Sequence, residues 1–136
     1  MADVQEHLVK LQQDLLDSIA NRDWQTYSEL CDESLTAFEP EAVGNLVQGL
    51  PFHRFYFDLL AARENYKPPN NTITQPHVRM LGDTAAVVSC IRLQQKIDSA
   101  SGRPLTVSSE ETRVWEKKGG KWRNVHFHRS PTTPSS

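Results

Sequence analysis

The chain has 136 residues, of which 38% are hydrophobic and 24% charged, with a formal net charge of −2. That length fits one domain with a single core, the balance excludes a disordered chain, and the negative charge argues against a nucleic-acid binder. No apolar run is long enough to span a bilayer, and the polar, periodic N-terminus does not read as a signal peptide, so a cytoplasmic protein without membrane partners is expected.

Val4, Leu8, Leu11, Leu15 and Ile19 recur at helical spacing and predict an amphipathic helix from about Asp3 to Ala20. Asp23 is a credible N-cap for a second short helix carrying Trp24, Tyr27 and Leu30. Residues Ser34 to Phe38 read as a strand that Pro40 ends. A short helical turn closed by glycine is expected between Glu41 and Gly49. Pro51 then suits the first turn of a third helix, with Phe52, Phe55, Tyr56 and Leu59 on one face. Arg54 and Asp58, four apart, can pair on its solvated side.

Tyr66 to Asn71 reads as a loop. Three strands follow: Thr72 to Met80, Ala85 to Ile97, and one starting near Leu105. In the second, Val87, Ile91 and Leu93 alternate against Val88, Cys90 and Arg92. Cys31 and Cys90 match no metal or redox spacing and read as buried free thiols. The predicted fold is α+β, with a long helix and two shorter ones packed on a curved, mostly antiparallel sheet. One domain over 1–130 and a disordered tail over 131–136 are expected.

Ser108 to Ser130 reads as a β-hairpin turning at Gly119-Gly120, and two registers are possible. A two-residue turn pairs Arg113 with His126. A three-residue loop pairs Arg113 with Val125 and Glu111 with Phe127. The second is favoured, because it gathers Glu111, Arg113, Trp115, Val125, Phe127 and Arg129 on one face. Trp122, Asn124, His126 and His128 then fall opposite.

The phrases TAFEPEAVGNLVQG (Thr36 to Gly49), FHRFYF (Phe52 to Phe57), Ile91-Arg92-Leu93, SEETRVW (Ser109 to Trp115) and KWRNVHFHRS (Lys121 to Ser130) carry a resemblance. In that order they closely resemble the association, or hub, domain of calcium/calmodulin-dependent protein kinase II, over about Leu8 to Ser130. The resemblance implies the cone-shaped fold of the nuclear-transport-factor-2-like superfamily and assembly into two stacked rings. The family's full-length members place a kinase domain and a calmodulin-binding segment before the hub. This sequence contains neither, so a stand-alone or excised hub without kinase activity is expected, its partners being copies of itself and the hub domains of kinase subunits.

The resemblance also implies a deep polar pocket at His53, Tyr56, Arg92, Arg113 and Arg129. Three guanidinium groups converging in a cavity favour an anion such as a small carboxylate, with Glu111 the alternative internal counter-ion. Ala61 stands where vertebrate hubs carry a tryptophan at the pocket mouth. His126 and His128 face one side of a strand; with Val114 and Trp122 they read as interface residues rather than metal ligands. No metal and no cofactor is expected. The alternative function is a small-molecule enzyme of the same cone fold, isomerase or dehydratase in type, with His53 as base.

Overall fold

The computed structural model describes residues 2–132. Helix α1 (Ala2–Ala20) is followed by α2 (Trp24–Leu30), strand β1 (Cys31–Phe38), a 3-10 turn (Pro40–Ala42) and β2 (Val47–Gln48). Then come α3 (Pro51–Ala61), β3 (Asn70–Met80), β4 (Ala85–Ile97), β5 (Pro104–Lys118) and β6 (Lys121–Pro131). The strands form one curved, open sheet in the order β2-β1-β6-β5-β4-β3. All neighbours are antiparallel except β1 and β6, which run parallel. The core lies between the inner face of this sheet and the helices.

Local chemistry explains the helix boundaries. Leu8, Leu15 and Leu16 are fully buried along one stripe of α1, so burial of that stripe, rather than propensity, holds the helix. Asp23 caps α2 by accepting from the Thr26 backbone N–H at 3.1 Å, and Pro51 opens α3. In α3 the buried residues are His53 and Phe57, not the expected Phe55, Tyr56 and Leu59. The reason is α2, whose Trp24 and Tyr27 rings meet Phe57 at 5.0 and 4.9 Å between centroids. Phe55 and Leu59 are left half exposed, and Arg54 pairs with Asp58 at 3.3 Å on the outside.

Several bounds differ from expectation. Strand β1 begins at Cys31, and β3 begins at Asn70, inside the expected loop. The segment after Pro40 makes only one 3-10 turn and then a short strand pairing with β1 through Thr36–Gln48 and Ala37–Val47. Gly49 leaves that strand at a φ of 79°, where a side chain would strain the backbone, and its N–H reaches the Leu35 carbonyl at 2.7 Å. Pro131, assigned to a disordered tail, ends β6, and the Thr132 N–H donates to the Ser108 carbonyl at 3.2 Å. Residues 133–136 of that expected tail lie outside the described residues.

The β5–β6 hairpin follows neither expected register. Lys118 pairs with Lys121 across a two-residue Gly119-Gly120 turn, and Trp115 pairs with Asn124. A bulge at Val125 then shifts the ladder, so Val114 meets His126, Arg113 meets Phe127 and Glu111 meets Arg129. The extra residue reverses the parity of the strand between Asn124 and Phe127. As a result Trp122 and Asn124 turn inward with Arg113, Phe127 and Arg129, whereas the favoured register placed Trp122 and Asn124 outside. Trp122 is part of the core, which corrects its expected place on an interface. His126 and His128 face outward, beside the Phe38 ring, and Val114 pairs with His126 across the ladder.

Cys31 and Cys90 are buried free thiols. Burial pushes their thiol pKa values up to about 12 and about 11, so both stay protonated and unreactive at neutral pH. No helix among the described residues is long and apolar enough to cross a membrane.

Candidate functional site: an arginine-lined cavity

A cavity of about 460 Å³ opens between α3, the 3-10 turn and the inner face of β4–β6. Its walls are apolar at Ile19, Tyr27, Phe57, Leu59, Leu60 and Phe127, and polar at Glu39, Glu41, His53, Tyr56, Arg63, Arg92, Arg113 and Arg129. The structure therefore brings together all five expected pocket residues. Glu111, the expected counter-ion, lies beneath them.

The floor is a buried charge network. Alternation along β4 and β5 points Arg92, Glu111 and Arg113 to the inner face, at 8%, 1% and 1% exposure. Glu111 accepts from Arg113 Nε at 2.9 Å through one carboxylate oxygen and from an Arg92 terminal nitrogen at 3.2 Å through the other. Arg92 Nε also donates to Asn71 Oδ1 at 2.9 Å, and Arg113 donates to Asn124 Oδ1 at 2.8 Å. The Arg113 guanidinium lies 4.3 Å over the Phe127 ring centroid, a cation–π contact between two buried side chains. Asn124 in turn donates to the carbonyls of Val114 and His126, each at 2.9 Å. One amide thus closes the Val125 bulge and aims Arg113.

Electrostatics follow from this geometry. Burial opposes charge on Glu111, yet the Arg113 and Arg92 guanidinium groups outweigh it and hold the carboxyl below its ordinary range. Burial likewise opposes charge on Arg113, but Glu111 outweighs it and the pKa is raised. For Arg92 burial prevails and the pKa is lowered, since its Glu111 contact is longer and other arginines stand nearby. Both guanidinium groups remain protonated.

The rim is built differently. Arg129, from the end of β6, pairs with Glu41 of the 3-10 turn, and both side chains are partly open to solvent. His53 Nε2 sits 3.0 Å from Glu39 Oε1, with both side chains nearly buried, while His53 Nδ1 is buried without a partner among the described residues. Tyr56 stands at the mouth, about one-third exposed. Ala61 ends α3 and does not line the cavity. Tyr27 lies against the wall, its hydroxyl pKa pushed well up by burial.

Sequence reasoning missed Asn71, Asn124, Glu39, Glu41 and Arg63. Asn124 had a signal. Large apolar residues occupy even positions at Trp122 and odd ones at Phe127, and such a parity switch within one strand requires an extra residue. Glu39 and Glu41 come from a turn, where no periodicity assigns a direction.

On the outer face, the Thr36 hydroxyl and His126 Nδ1 are 2.7 Å apart, and the Phe38 ring lies 6.0 and 5.5 Å from the rings of His126 and His128. Among the described residues, no three His, Cys, Asp or Glu side chains gather where they could hold a metal ion.

A curved, open sheet wrapped round a long helix, with a cavity between sheet and short helices, defines an α+β cone. A nuclear transport factor 2 (NTF2-like) superfamily protein from Salmonella enterica shares this fold at 18% identity with a TM-score of 0.71, over 99% of this chain and 95% of that one. The relationship is closer elsewhere. Residues 4–133 match the model of the calcium/calmodulin dependent protein kinase II association domain, and the chain belongs to that family. It is 50% identical over 131 residues to calcium/calmodulin-dependent protein kinase type II subunit delta of Oryctolagus cuniculus. That match covers 95% of this chain but only 24% of the relative, so the chain spans about a quarter of its length. The structure of the hub homology domain of Chlamydamonas reinhardtii aligns with a TM-score of 0.87 at 49% identity, over 98% of this chain and all of that one. The association domain of the C. elegans kinase aligns with a TM-score of 0.85 at 44% identity, over 95% and 96%.

Proposed function

We propose that the chain is a non-catalytic oligomerisation module that closes into a homo-oligomer of two stacked rings and scaffolds kinase subunits bearing the same domain. The observation that carries this reading is the match along nearly the whole chain to association and hub domains. The outer sheet face supports it. Phe38, Val114, His126 and His128 form an apolar and aromatic surface of the kind that seeks a partner on an oligomer-forming domain. An isomerase or dehydratase is less well supported, because the structures aligned at 49% and 44% identity are hub and association domains and most ionisable groups of the cavity are already paired with one another.

The cavity itself is proposed to accept a small carboxylate. Apolar walls, Arg129 near solvent and the positive floor favour a ligand with one anionic end and a short apolar body. Arg113, with Nε and both terminal nitrogens engaged by Glu111 and Asn124, is assigned to holding the floor. Of the three expected pocket arginines, Arg129 has the most exposed side chain, at 22% against 9% for Arg92 and 2% for Arg113, and is the one a ligand meets first.

Native mass spectrometry of the purified chain at micromolar concentration tests the main reading. A closed multi-subunit species is expected, and a wholly monomeric mass overturns it.

A further inference from the structure

The arginines of the cavity draw their counter-ions from two different settings. Glu111 stands in the middle of β5, fully buried, and cannot leave without opening the sheet. Glu41 belongs to a three-residue turn, and its side chain is 36% exposed. The backbone beneath it is fixed: Ala42 is buried, and its carbonyl accepts from both the Asn45 N–H at 3.2 Å and the Asn45 side chain at 3.0 Å. Release of Glu41 from Arg129 therefore needs a change of side-chain rotamer, with no movement of the turn.

Charge points the same way. Four guanidinium groups, of Arg63, Arg92, Arg113 and Arg129, face three carboxylates, of Glu39, Glu41 and Glu111. One excess positive charge remains while Glu41 is in place, and two remain when it swings out. Tyr56, Leu59 and Leu60 line the same cavity as the Glu41–Arg129 pair and supply an apolar wall, of which Tyr56 and Leu59 are open to solvent.

We infer that Glu41 is a tethered competitor for the cavity's anion site: its carboxylate holds Arg129, and a small exogenous carboxylate engages that guanidinium by displacing it. The inference rests on the proposal that the cavity accepts small carboxylates, and assigns what limits and selects them. Exchanging one carboxylate for another on a partly exposed arginine is nearly balanced, because such pairs contribute little net free energy. Affinity then comes from the body of the ligand against the apolar wall, so a chain of several methylenes is selected over acetate. Glu41 in this sense sets a common threshold for every carboxylate, and the apolar wall sets the selectivity among them.

Calorimetric titration with sodium butyrate, at pH 7 and fixed ionic strength, tests this on the full chain and on Glu41→Gln. The variant is expected to bind at least about threefold more tightly, within the range an exposed ion pair commands. The double variant Glu41→Gln/Arg129→Gln is expected to lose that gain. Glu41→Asp, which keeps the charge on a shorter arm, gives an intermediate affinity and serves if the Gln variant does not fold. Equal measurable affinity with and without Glu41 overturns the competitor role while the carboxylate cavity stands. Binding to neither protein overturns both.

Discussion

The floor and the rim of the cavity use the same two residue types, arginine and glutamate, in opposite physical regimes. At the floor, Arg92, Glu111 and Arg113 are held from adjacent strands, with Asn71 and Asn124 taking up further donors. Desolvation there is large, and the network is stable only as a whole, because removing one member strands a buried charge. At the rim, Arg129 and Glu41 meet with water nearby, where an ion pair is weak and exchangeable. An arginine cluster is thus not one kind of site. Burial decides which members shape the fold and which can answer a ligand.

The sharpest break of that contrast is Glu111→Gln. It leaves two buried guanidinium groups sharing a neutral amide, and the unfolding free energy is expected to fall by about 3–5 kcal/mol. Arg129→Gln at the rim should cost under about 1 kcal/mol. Urea unfolding at one fixed protein concentration compares them, since assembly contributes to apparent stability. A Glu111 variant as stable as the rim variant would erase the distinction.

Asn124→Ala is the intermediate case. It removes one acceptor from Arg113 and leaves the Val114 and His126 carbonyls at the bulge without their donor, for an expected loss of about 1–3 kcal/mol. Amide hydrogen exchange should localise the loosening to the ladder around Val125. Uniform protection there would mean the bulge holds without Asn124.

The smallest effect is expected outside the cavity, at His126. Burial lowers its pKa from the ordinary value, with the Thr36 contact opposing and His128 adding to the shift. The unfolded chain therefore binds the proton more readily. Stability attributable to His126 is complete above about pH 6.5 and is lost as pH falls from there through the lower folded value. Thermal melts of the wild type and His126→Gln across that range should converge toward the acid side, and light scattering on the same samples reads whether the assembly loosens with them. Parallel curves at every pH would remove His126 as the cause.

Much of the scaffold was legible in the sequence because it rests on short-range rules. The α1 stripe, the Asp23 cap and the alternation that points Cys90 and Arg92 inward need only the chain within a few residues. The inward direction of Arg113 was legible for the same reason. What escaped depends on a third dimension. The buried face of α3 is chosen by Trp24 and Tyr27 of another helix, so the apolar run Phe55-Tyr56-Phe57 could not declare its own inner side. The bulge at Val125 inverted Trp122 and Asn124, and with them the site's main orienting amide. The carboxylates of the rim arrive from a turn whose position is set by its neighbours.

The strand order has a consequence for how the chain reaches this state. The last strand, β6, lies between the first, β1, and β5, and among the described residues it alone joins the β1–β2 pair to the rest of the sheet. Until Lys121 to Pro131 is available, β1 has no long partner and Leu35 and Ala37 cannot be enclosed. The closing step is therefore a parallel pairing across some ninety residues of chain, as in Thr36 with His126. Loop closure of that span is costly and such contacts are slow to form. During synthesis the β3–β4–β5 meander can assemble as it emerges, while the N-terminal helices and β1 wait with apolar surface exposed, the state most open to capture by chaperones or to misassembly.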